Sequence, residues 1–255
     1  GYTFAGWDPA LPSVMPAAGI TVRAQWTANA YHIALDANGG SGTAVSVPAA
    51  YDQTQTLPDN PFARAGYAFD GWNTEADGTG TAYADQAEVK NLTDEKDGTV
   101  TLYAQWKINR VKVTFKPENG EEAVVREGDY ATALTAPECQ RTGYLFQGWD
   151  PAFTGAFPAA DTTYTAKWTP IAYRIAFDHN GGEGSMDTLD MTYDVPAVLT
   201  KHVFTRTGYT FTGWKDAEGT SYADQAEVSS LSSENGKTIT LSAQWQVNRY
   251  RITFD

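Results

Sequence analysis

The chain has 255 residues, 42% apolar and 19% charged, and its 31 Asp and Glu against 18 Lys and Arg give a formal net charge of −13. That sign of charge repels phosphate backbones and excludes nucleic acid as a partner. One cysteine and three histidines exclude a disulfide framework and a Cys- or His-rich metal site, and no apolar run reaches the roughly 20 residues of a transmembrane helix.

Gly1–Trp7 carries the pattern Gly-Tyr-x-Phe-x-Gly-Trp, which returns at 66–72, 143–149 and 208–214. A strand-like stretch follows each copy and closes on Ala-Gln-Trp or Ala-Lys-Trp, at Trp26, Trp106, Trp168 and Trp245; the two motifs together use all 8 tryptophans. A third motif begins after each closing Trp, at Tyr31–Asp36, Val111–Lys116, Tyr173–Asp178 and Tyr250–Asp255. Such self-similarity marks a repeat array. The predicted boundaries are the back part of a short repeat at 1–26, a long repeat at 31–106, a short one at 111–168, a long one at 173–245, and the first strand of a following repeat at 250–255. With neither a start Met nor a signal peptide, the chain reads as a segment of a longer protein.

Within a repeat, Tyr31, Ile33 and Leu35 alternate with His32, Ala34 and Asp36, which predicts a half-buried first strand. Asn38-Gly39, Asn119-Gly120 and Asn180-Gly181 then supply hairpin turn signals. In Gly-Tyr-x-Phe-x-Gly-Trp, regular pleating would send Trp72 to the face opposite Tyr67 and Phe69; the Gly before it marks a bulge that returns the indole. Long repeats carry Tyr-Ala-Asp-Gln-Ala-Glu-Val at 83–89 and 222–228, where short ones have Asp8-Pro9-Ala10 or Asp150-Pro151-Ala152. Asp85, Glu88, Val89 and Leu92, matched by Asp224, Glu227, Val228 and Leu231, predict a capped short helix. In the closing strand, an Ala two residues before each Trp leaves room for an indole. The fold class is mostly β or α+β, in modules of about 60–75 residues with little core to spare.

Together, the strand and Asn-Gly-Gly at 173–182, Gly-Tyr-Thr-Phe-Thr-Gly-Trp at 208–214, Thr-x-Tyr-Ala-Asp at 81–85 and Leu-Tyr-Ala-Gln-Trp at 102–106 resemble the Listeria–Bacteroides repeat, the module related to the internalin B-repeat. The resemblance covers essentially the whole chain. It implies small β-grasp-like domains in tandem, on the surface of a bacterium or secreted, between an anchor and a ligand-binding end. The short repeats depart from the pattern: they lack Tyr-Ala-Asp-Gln, and Lys116-Pro117-Glu118 replaces Asp-x-Asn.

The sixteen recurrent aromatics, Tyr2, Phe4, Trp7, Trp26, Tyr67, Phe69, Trp72, Trp106, Tyr144, Phe146, Trp149, Trp168, Tyr209, Phe211, Trp214 and Trp245, are expected to be the structural core, because so small a unit needs large side chains to bury enough area. The alternative use is stacking against a host glycan or binding a host protein. Cys139 takes the place of Phe62 and Phe204 and, with no His in its repeat, reads as a small hydrophobe. Arg64, Arg141 and Arg206 recur two residues before the motif Gly, placed for a pairing within the repeat, for packing on an aromatic face or for a ligand. Asp36-x-Asn38 and Asp178-x-Asn180 lack the further carboxylates of a calcium loop and read as turns. No catalytic, cofactor or metal residue is expected, since the distinctive residues are multiplied as structural parts are. Every junction between repeats has four residues and none is Gly/Ser-rich, which predicts a semi-rigid, elongated array whose main partners are its own neighbouring repeats.

Overall fold

The period-two patterns form strands throughout. In the computed structural model, which describes residues 1–254, no helix occurs among the described residues. The first strands are β1 (Tyr2–Asp8) and β2 (Arg23–Ala28). Then come β3 (Ala30–Asp36), β4 (Val45–Ala50), β5 (Gln55–Thr56), β6 (Tyr67–Asn73), β7 (Ala82–Tyr83), β8 (Glu88–Val89) and β9 (Thr99–Ile108). The short repeat supplies β10 (Arg110–Lys116), β11 (Val124–Asp129), β12 (Tyr144–Asp150) and β13 (Thr162–Pro170). Last are β14 (Ala172–Asp178), β15 (Leu189–Thr192), β16 (Ala197–Val198), β17 (Tyr209–Lys215), β18 (Ser221–Tyr222), β19 (Glu227–Val228) and β20 (Thr238–Val247).

The strands form three mixed or antiparallel sheets with the orders β4-β3-β9-β6-β7, β11-β10-β13-β12 and β15-β14-β20-β17-β18, besides the pairs β1-β2, β5-β8 and β16-β19. Packing divides the chain into two compact units. One comprises 1–113, 126–134 and 156–162; the other comprises 114–125, 135–155 and Thr163 onward. The first is built on Tyr31, Ile33, Leu35, Leu57, Phe62, Trp72, Val89, Leu102 and Ala104. The second has the matching set Tyr173, Ile175, Met191, Leu199, Phe204, Trp214, Val228, Leu241 and Ala243.

Three sequence expectations are corrected. The helix expected at Asp85–Leu92, and its counterpart at Asp224–Leu231, is a turn between two short strands. Gln86 and Gln225 take φ of 57° and 58°, and the Ala87 N–H bonds three residues back to Ala84. A left-handed residue interrupts the α ladder, and Val89 pairs with Gln55 in β8–β5 instead. That pair, rather than a β-grasp helix, crosses this end of the repeat. The Asn-Gly turns are real, with φ of 45° at Asn38 and 83° at Gly39, but they sit inside an eight-residue connection, 37–44, and not in a two-residue hairpin. Finally, residues 250–254 form no strand, and Tyr250, Ile252 and Phe254 are exposed. The partners of an equivalent strand, β4 and β9 for β3, follow it in sequence; Asp255 lies outside the described residues.

The glycine bulge is present in all four copies. The register between β6 and β9 slips between Phe69 and Gly71, and the same slip occurs at Phe4/Gly6, Phe146/Gly148 and Phe211/Gly213. The extra residue returns the indole to the face of the Phe, and Phe69 meets Trp72 edge-on at 5.0 Å between centroids. Across the pair, Trp72 stands opposite Ala104 and Phe69 opposite Trp106. The small Ala therefore makes room for the motif Trp, not for the closing Trp.

Candidate functional site

Two constructions recur, one inside each repeat and one at each junction. Inside the repeat at 31–106, the Asp36 carboxylate accepts the Asn38 N–H at 2.7 Å, which closes the turn, and the Asn38 amide donates to Ala104 O at 2.9 Å. The Trp106 indole N–H donates in return to Ala37 O at 2.9 Å. A Cβ on Gly40 would lie 2.7 Å from Trp106 Cζ2, so the second Gly of Asn-Gly-Gly exists to admit the indole. The repeat at 173–245 repeats the set: Asn180 to Ala243 O at 2.8 Å, Trp245 to His179 O at 3.0 Å, and Gly182 under Trp245. In the short repeat Trp168 donates to Pro117 O at 2.7 Å. Trp106, Trp168 and Trp245 are thus latches tying the loop after the first strand to the last strand.

At the junctions one linker residue is bonded on both sides. Asn29 N–H donates to Gly1 O at 2.8 Å and Asn29 O accepts Tyr51 N–H at 2.9 Å. Asn109 does the same between Gly66 and Tyr130, and Ile171 between Gly143 and Tyr193. The motif Gly is bare because a neighbouring ring lies on it: a Cβ on Gly1, Gly66 or Gly143 would overlap Tyr51, Tyr130 or Tyr193 respectively. The motif Tyr then meets that ring edge-on, at 5.7 Å for Tyr2–Tyr51, 6.0 Å for Tyr67–Tyr130 and 5.8 Å for Tyr144–Tyr193. The other face of the motif Tyr takes the recurrent arginine, with Arg64 4.2 Å from Tyr67, Arg141 3.9 Å from Tyr144 and Arg206 4.0 Å from Tyr209. Such cation–π pairs contribute about 0.5–1 kcal/mol at exposed sites.

Tyr51, Tyr130 and Tyr193 were not among the residues singled out from sequence. Their signal was regular placement, 19 or 20 residues after the starts of the first motifs at 31, 111 and 173.

Electrostatics reinforce two of the three junctions. Tyr2 Oη donates to Asp52 Oδ2 and Tyr144 Oη to Asp194 Oδ2, both at 2.8 Å, which raises each phenol. The Asn91 amide, then the Tyr2 hydroxyl and Lys90, bring the Asp52 carboxyl from its ordinary 3.8 down to about 2. A carboxyl depressed on folding contributes stability that is complete above the unfolded value and fades as pH falls towards the folded one. A carboxyl-detected NMR titration is expected to place Asp52 at about 2, and Asn91→Ala to move that midpoint upward. A midpoint unchanged in Asn91→Ala would contradict this assignment.

The sixteen aromatics fall into three groups. Trp72 and Trp214 are fully buried at 0% exposure. Tyr67, Phe69, Trp106, Tyr144, Trp149, Trp168, Tyr209, Phe211 and Trp245 are part-buried. Tyr2, Phe4, Trp7, Trp26 and Phe146 are exposed, Trp7 at 42% and Trp26 at 58%, and the expectation of burial is corrected for these five. Around Phe4, Trp7 and Trp26 the sheet holds β1 and β2 alone, without counterparts of the strands that cover Trp72. Phe146 keeps its ring contacts to Trp149 and Trp168. The repeat at 173–245 stacks His202 on the equivalent Phe211, and Pro137 takes that place here.

Cys139 is free and part-buried, and burial followed by the charge of Glu121 raises its thiol pKa, the opposite of an activated nucleophile. Among the described residues no group of three or more His, Cys, Asp or Glu could hold a metal ion. No helix there is long and apolar enough to cross a membrane.

The family model described as the Listeria-Bacteroides repeat domain matches residues 31–105, 112–169 and 173–244. A "Putative Gly-rich membrane protein" of Evansella cellulosilytica is 31% identical over 283 residues, covering 100% of this chain and 32% of that protein. A "Putative membrane protein" of the same organism is 29% identical over 278 residues, covering 99% and 40%. "Internalin H" of Listeria monocytogenes is 32% identical over 160 residues, covering 58% and 27%. The chain therefore spans about a third of the length of the curated relatives it matches.

Proposed function

Since the chain belongs to the Listeria-Bacteroides repeat family, we propose that it is a non-catalytic spacer, a stalk segment of a bacterial surface or secreted protein of adhesin type. Its partners in this reading are its own neighbouring repeats. The observation that carries the reading is the junction: one linker residue bonded to the Gly before it and the Tyr after it, three times over, with bond lengths from 2.8 to 3.0 Å. A flexible tether has no use for a repeated set of short bonds. A device that sets the spacing of whatever it carries does. The names of the relatives, two membrane proteins and an internalin, support a place at the cell surface.

Small-angle scattering on the whole chain tests the spacer. The expected pair-distance profile is that of an extended, stiff particle; a globular or coil-like profile overturns it. Binding of the chain to a glycan array, lost on Trp26→Ala, would favour the alternative of a glycan-recognising module.

A further inference from the structure

We propose that each long repeat is a tension-bearing element, in which the first and last strands form a lock loaded in shear. The two ends of the repeat at 31–106 leave through β3 and β9, and these are parallel neighbours in the middle of the sheet. Their register runs from His32 opposite Thr99 to Asp36 opposite Tyr103. The repeat at 173–245 has the same arrangement, from Arg174 opposite Thr238 to Asp178 opposite Ser242. In a parallel pair the start of one strand and the end of the other lie at opposite ends of the ladder. Tension drawn through the chain therefore slides β3 along β9 and loads every bond between them at once.

The β1–β2 pair shows the contrasting case. Its antiparallel register begins at Tyr2 opposite Ala28, so its two ends are adjacent and tension opens the ladder one bond at a time.

The latches act on the same pair of strands. Asn38 reaches from the loop after β3 to Ala104 O on β9, and Trp106 reaches from β9 back to Ala37 O. Asn180 with Ala243 O and Trp245 with His179 O duplicate this between β14 and β20. These side-chain bonds break in the same step as the ladder and raise the number that must fail together. Ile33, Leu35, Leu102 and Ala104, all buried, keep water from substituting for the bonds as they stretch. The inference concerns strand pairing inside one repeat and goes beyond the spacer reading, because a spacer needs only length and stiffness.

The test is single-molecule pulling of the whole chain in a Cys139→Ser background, with handles on introduced cysteines. One pair, Ala30→Cys and Lys107→Cys, loads β3 against β9 in shear. The other, Ala68→Cys and Lys107→Cys, sits on facing residues of antiparallel β6 and β9 and opens that pair from its end. Forced unfolding reports the unfolding barrier, and with several bonds loaded together rather than singly the mean force is expected to be at least about twofold higher in the first arrangement. Equal forces overturn the proposal. Asn38→Ala is expected to lower the force in the shear arrangement and leave the other unchanged. An equal fall in both makes Asn38 a general stabiliser and removes the latch from the mechanism. Should Asn38→Ala fail to fold, Asn38→Gly, which keeps the positive φ and removes the amide, takes its place with the same two expectations.

Discussion

Trp72→Ala is expected to unfold the repeat at 31–106 at ambient temperature, with a loss of about 3–5 kcal/mol. The indole is wholly buried, lies opposite Ala104, and is touched edge-on by Phe62 and Phe69. A repeat of this size draws much of its hydrophobic stabilisation from a few such rings. Denaturant titration followed by the remaining tryptophans measures the effect, and Trp214→Ala is expected to match it in the repeat at 173–245. Trp72→Phe is the informative companion. The Trp72 Nε1–H is buried without a hydrogen-bond partner, as is that of Trp214, so Phe gives up ring area but also removes an unpaired donor. Its cost is expected to be less than half that of Ala. A Phe variant as unstable as the Ala variant would mean that the donor contributes no penalty.

The second large effect is at a junction. Gly66 has φ of +78° and its bare Cα carries the Tyr130 ring, so Gly66→Ala meets both a backbone penalty and a steric one, together about 2–4 kcal/mol. Gly208 is the internal control. It has the same φ of +78° with nothing within 4 Å of an added Cβ, and Gly208→Ala is expected to cost the backbone share alone, about 1–2 kcal/mol. Calorimetry of the two variants separates the terms, and hydrogen exchange at the Tyr130 amide, bonded to Asn109 O, reports whether the junction has opened. Equal losses in the two variants would mean that the ring on Gly66 contributes nothing to stability.

Much of this architecture was legible because each copy restates it. The alternation at Tyr31, Ile33 and Leu35 marks the first strand, and the Gly before each motif Trp marks the bulge, since both signals are local. The latch was not legible. Ala37 and Trp106 are 69 residues apart, and nothing local to either states that Gly40 is bare for an indole. Asp85 and Glu88 carry a capping pattern, but so short a segment does not recover the cost of nucleating a helix. In so short a stretch, pairing Val89 with Gln55 satisfies the backbone better than one isolated turn of helix. The junctions lay between these extremes. Arg64 over Tyr67 is one of three uses that the sequence offers for that arginine, whereas Tyr130 is recognisable only once Gly66 is seen to need no side chain.

Where Asp52 and Asp194 accept the phenols of Tyr2 and Tyr144, the chain has Ala131, with a matching φ of 61° and no oxygen to offer Tyr67. The joints are therefore not copies of one another in chemistry, although they are in shape. Strong acid would erode the first by protonating Asp52 and leave the middle one, which has no carboxyl at that place, as it was, so a chain carried from neutral to very acidic surroundings would lose the difference between those two joints.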